Sequence, residues 1–186
     1  MDENEKRKEL AVYLQDHYAG AVAAIEMLEH LITTHAGQPL ERFFRKLCAD
    51  IRSDRSQLRN VMTALGFQES TVRDTGAWMA EKLARTKLGF SKGKTVGLRL
   101  VESLEILQLG ITGKRLLWRA MFAAIKSSPV LQQSDFIALE TRAMKQLERV
   151  EAKRLEAARA AFGAASDPHR HSVERRVESG IKECQD

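Results

Sequence analysis

Residues 40–65 read LERFFRKLCADIRSDRSQLRNVMTAL, with apolar side chains at Leu40, Phe44, Leu47, Ile51, Leu58, Val61 and Leu65. Asp54 completes the series, and the steps alternate between four and three residues. That spacing is the seam of a helix lying lengthwise against other helices. A strand would alternate every second residue, and no such alternation is found elsewhere in the chain. The expected class is therefore all-α.

Pro39, Pro129 and Pro168 fall between periodic segments, where helices are expected to stop or start. The spacing predicts long helices over 5–35, 40–65, 95–126 and from Ser134 or Asp135 to 162, with a shorter one over 71–88. In the last long helix the seam is expected to be Phe136 or Ile137, Leu139, Met144, Leu147, Val150 or Glu151, and Leu155. At 1.5 Å per residue, helices of this length reach roughly 40–48 Å. Short loops make each pair an antiparallel hairpin, and the connection between the pairs is long enough to carry the chain back along the bundle. One bundle domain over 1–163 is expected, with a polar, mobile tail over 164–186.

The 186 residues suffice for a single sizeable core. No apolar run reaches the roughly 18–20 residues of a membrane span. The opening MDENEKRKEL has no apolar stretch of a secretion signal, so a cytoplasmic location is expected. Cys48 and Cys184 do not make a disulfide framework. Net charge is +5 with the signs interleaved, so nucleic acid is not an expected partner; a basic accessory protein of nucleic acid stands as the second alternative.

Two features break the apolar pattern. The stretch GLRLVESLEILQLGITGKRLLWRAMFAAI, 97–125, reads as one helix yet holds Gly110 and Gly113. Each glycine costs a helix roughly 1 kcal/mol against alanine. Their expected role is close helix packing, with a backbone or a bulky group such as Phe67 or Trp78 approaching the bared side. GITGK is not a phosphate-binding loop, because Arg115 stands where Ser or Thr is needed. The second feature is a set of polar residues on apolar stripes: His17, Asp54, Glu105 and Lys114. A buried unpaired charge costs several kcal/mol, so these groups are expected to meet in an internal cluster.

Two long hairpins joined by a helix-containing crossover, with stretches such as YLQDHYAGAVAAIEMLE and LGITGKRLLWRAM, resemble the ferritin-like superfamily. Within it the chain is similar to small bacterial proteins without a described activity. The resemblance implies a four-helix bundle and, in functional members, two metal ions held by glutamates and Glu-x-x-His pairs. The Glu-x-x-His halves are absent here, so neither cofactor nor catalysis is expected. The expected role is a non-catalytic binding or structural module, a homo-oligomer with a dimer as the form expected, with a buried polar cluster. The alternative is a di-iron or di-manganese protein using carboxylates alone, drawn from Glu26, Asp50, Glu102, Glu105 and Glu148.

Overall fold

A computed structural model describes residues 2–67, 95–124, 131–132 and 134–163. The expected crossover helix at 71–88, Trp78 and the tail from 164 lie outside the described residues. Four long helices make up the described part: α1 (Glu3–Thr34), α2 (Pro39–Ala64), α3 (Val96–Ala124) and α4 (Phe136–Phe162). No strand occurs among the described residues, so the chain is an all-α bundle there.

The helix ends follow local chemistry. Gly37, at φ 77°, turns the chain between α1 and α2, and Pro39 occupies the first turn of α2, where its missing N–H costs nothing. Glu41 reaches back to accept from the Gly37 amide at 2.7 Å. α2 stops at Gly66, φ 74°. Phe67 N donates to Met62 O and Gly66 N donates to Thr63 O, both at 2.9 Å, the paired bonds of a Schellman ending. Arg7 of α1 then donates to Leu65 O at 2.6 Å and lies over the Phe67 ring. At the start of α4, the Asp135 side chain accepts from Ala138 N at 2.9 Å and serves as the cap.

The core has two apolar layers. In one, Leu28 of α1 and Phe44 and Leu47 of α2 meet Leu104 and Leu107 of α3 and Val150 of α4. In the other, Leu14 and Tyr18 meet Leu58 and Val61, Leu117 and Trp118, and Phe136. Burying such a side chain is worth about 1.5–3 kcal/mol. The layers also fix direction. Early α2 shares a layer with early α3, and late α2 with late α3, so these two helices run the same way. Early α1 and early α4 lie in the second layer, so both run opposite to α2 and α3.

The seam of α4 differs from the expected one. Its buried positions are Phe136, Ala143, Gln146, Val150 and Ala157. Met144 and Leu155 face outward at 44% and 39% exposure. Phe136 and Val150 hold as expected, and Leu139 and Leu147 pack on the core, but the buried line keeps heptad spacing through Ala143, Gln146 and Ala157, which carry little apolar signal.

Candidate binding site

Between the two apolar layers each of three helices contributes a polar side chain at one height. Asp54 lies between Ile51 and Leu58 on α2, Lys114 between Ile111 and Leu117 on α3, and Gln146 between Ala143 and Val150 on α4. α1 passes this level with Gly20 and Ala21.

Asp54 is 3% exposed, and an isolated carboxylate there would be very costly. Three donors surround it. Its Oδ2 accepts from Lys114 Nζ, and from Gln146 Nε2 at 2.9 Å. Its Oδ1 faces the Arg142 guanidinium in an ion pair. Gln146, fully buried, closes the ring by accepting from Lys114 through Oε1. One turn along, Arg149 of α4 donates to Asp50 of α2 at 2.5 Å. Burial pushes the Lys114 ammonium below the usual lysine range, while Asp54 acts in the opposite direction. Lys114 and Arg142 together carry one more charge than Asp54 balances, and Asp50 and Arg149 cancel.

Beside this cluster lies a cavity of about 350 Å³. α1 supplies Asp16, His17, Gly20, Ala21 and Ala24; α2 supplies Ile51, Asp54, Arg55 and Leu58; α3 supplies the rest, from Leu107 to Trp118, including Gly110, Gly113 and Lys114. The wall is largely apolar. His17 stands in it, edge-on to Tyr13 at 4.7 Å between ring centres. Burial lowers its pKa below the ordinary histidine value of 6.5, with Asp16 opposing. Trp118 is 1% exposed and stacks on Phe136, and its Nε1 has no hydrogen-bond partner among the described residues.

The structure brings Asp54 and Lys114 into direct contact and sets His17 in the same cavity wall. It does not bring Glu105 there. That residue points outward on α3 and faces Arg154 at 3.5 Å, because nine residues separate it from Lys114, two and a half turns along the helix. The glycines were expected to admit a close neighbour, and Trp78, one of the two named, lies outside the described residues. α3 is unbroken across them. Among the described residues, a Cβ at Gly110 would meet nothing within 4 Å, and one at Gly113 would reach only His17 Cε1, at 3.9 Å. Both line the cavity, and no described side chain packs tightly on them. Phe67, proposed as that neighbour, sits under Arg7.

The carboxylates of the alternative metal set are scattered. Glu26 and Glu148 are exposed, Asp50 is paired with Arg149 and Glu105 with Arg154, and Glu102 is half-buried on α3. Among the described residues no three His, Cys, Asp or Glu side chains come within reach of one ion. These residues do not fit the two-metal centre that the resemblance implies. Cys48 is buried, and burial pushes its thiol pKa up, the setting of an inert packed cysteine.

Gln146, Arg142 and Arg55 were not foreseen. The signal for Gln146 was its place three residues after Ala143 and four before Val150, the same heptad step that Asp54 takes on α2. No family model matches this chain, and neither a curated protein nor a solved structure matches it. No described helix is long and apolar enough to cross a membrane.

Proposed function

We propose that this chain is a ferritin-like helical bundle that works as a binding module, taking a small molecule into the cavity between α1, α2 and α3. Parallel α2 and α3 flanked by antiparallel α1 and α4 is the order that such bundles adopt, and it supports the family reading. The observation that carries the binding reading is the cavity itself. Its volume, about 350 Å³, falls within the roughly 300–1,000 Å³ of ligand pockets. Three glycines face it where larger side chains would fill it, and an ordered polar cluster forms one wall. Purely structural bundles are packed to the density of organic crystals, so a space of this size in mid-bundle favours a ligand over a strut.

Trp118 reports on the site. In a Trp78→Phe background it is the single remaining indole of two. Titrating benzyl alcohol, a neutral aromatic probe, should change its emission saturably, and Gly110→Leu should abolish the change by filling the space. Absence of a saturable change with any small aromatic would refute the binding reading.

A homo-oligomer is proposed as well. Ile137, Met144, Leu155 and Phe162 are exposed at steps of seven, eleven and seven residues. That spacing sets them on one line along the outside of α4.

A further inference from the structure

Building on the binding-module reading, we infer that the cavity takes a monocarboxylate with a compact apolar body, aromatic or branched. Its carboxylate would lie against Lys114 and Trp118 and its body against the apolar walls. Two residues lining the cavity each carry an N–H without an acceptor. Lys114 Nζ has three N–H groups and two acceptors, Asp54 and Gln146. Trp118 Nε1 is buried and has none among the described residues. The two residues lie four apart on α3, hence on neighbouring turns of one face. A carboxylate has two oxygens and can take one donor on each.

Charge selects the sign. The ion-paired group of Asp54, Lys114 and Arg142 sums to one positive charge, and the other two ionic side chains on the cavity wall, Asp16 and Arg55, offset one another. A cation would meet this excess, and it would find Asp54 already occupied by three donors. A phosphate dianion would need more donors than mid-helix backbone can supply, because every amide at this level is used within its own helix. A single negative charge matches the excess. The body follows from the walls: Ala21, Ala24, Leu58, Leu107 and Ile111 present no polar group to a ligand. The space is at the small end of ligand pockets, which suits one ring or a short branched chain.

The test compares benzoate with benzyl alcohol by calorimetry on the full chain, near neutral pH and at low salt. Benzoate should bind at one site, about tenfold or more tighter than the alcohol. Trp118→Phe keeps an aromatic ring but removes the N–H. It should weaken benzoate several-fold and leave benzyl alcohol unchanged. Lys114→Met should reduce benzoate to the affinity of the alcohol. Gly110→Leu should remove both ligands. Equal affinities for the two probes would overturn the carboxylate inference while leaving the binding-module reading standing. No binding of either would remove both. Benzoate binding that survives Gly110→Leu, or ignores Trp118→Phe, places the anion outside this cavity and also overturns the inference.

Discussion

Gln146 Nε2 stands 2.9 Å from Asp54 Oδ2, joining residues 92 positions apart in the chain. The same carboxylate oxygen takes Lys114, and the Gln146 carbonyl takes Lys114 too. One neutral amide thus serves a buried anion and a buried cation together. Three helices are tied at the one level where the apolar layers are interrupted. The arrangement is a register device as much as an electrostatic one: sliding any of the three helices by a turn would leave a charge or a buried amide in an apolar layer.

Removing the anion should be the most damaging single change in this cluster. Asp54→Asn leaves Lys114 and Arg142 facing each other without a counter-charge. Lys114 is 13% exposed, so solvent relieves little of the repulsion there, whereas Arg142, at 37%, is partly screened. A loss of about 3 kcal/mol is expected, read from urea unfolding followed by circular dichroism. The double variant Asp54→Leu with Lys114→Met should lose less than the two single changes summed, because it removes both charges. Strict additivity would show that the pair is not coupled.

Gly110→Ala should stabilise the protein. The added methyl meets nothing within 4 Å among the described residues, and α3 is regular helix at this point, so no strain there offsets the helix-propensity gain. About 0.5–1 kcal/mol is expected from thermal unfolding. Gly113→Ala should behave similarly, since its methyl makes only an ordinary contact with His17 at 3.9 Å. Destabilisation by either change would mean that the cavity is narrower than described.

How much of this could be read from the sequence depends on where the apolar signal was strong. α2 was legible residue by residue. Phe44, Leu47, Ile51, Asp54, Leu58 and Val61 are all buried, and Asp54 stood out because it broke a series of large apolar groups. α4 was legible only as a helix. Its buried line runs through Ala143, Gln146 and Ala157 as well as Phe136 and Val150, while the larger Met144 and Leu155 lie outside. Phe136 and Val150 were placed rightly and Leu139 and Leu147 pack on the core, but size drew Met144 and Leu155 into the seam, so Gln146, the residue completing the polar cluster, was missed. The glycines raised a question of packing, and among the described residues nothing packs tightly on them, while Trp78, one expected neighbour, lies outside those residues. Spacing shows that side chains are absent, and only the rotation of α1 and α3 about their axes decides whether the gap is filled. Glu105 was placed inward from its neighbours on one helix, although its partner, Arg154, is on another.

His17 should make the protein sensitive to mild acid. Its folded pKa lies below 6.5 because burial disfavours the imidazolium. Below pH 6.5 the unfolded chain therefore binds a proton that the folded protein refuses. Stability is full above that pH and declines as pH falls towards the folded value, with a slope of up to about 1.4 kcal/mol per pH unit. Carboxylates contribute their own losses at lower pH, so the measure is the difference from His17→Gln. Wild type should lose stability faster than the variant just below pH 6.5. Parallel curves would show that His17 is freely solvated.

The outer line of α4 makes the last prediction. Ile137 is 59% exposed, Met144 44% and Phe162 47%, and the line continues through Leu155 over most of the helix. An apolar stripe of this length is uncommon on a monomer surface and is suited to another helix. If two copies meet there, α4 would pack against its own counterpart, and a single charge placed in the middle of the line would appear twice in the interface. Sedimentation velocity should give a dimer for the wild type and a monomer for Met144→Glu. The folded monomer should lose little, since a substitution at so exposed a position typically changes stability by no more than about 0.5 kcal/mol. A wild-type monomer at high concentration, or a dimer indifferent to Met144→Glu and Ile137→Glu alike, would remove α4 as the contact face.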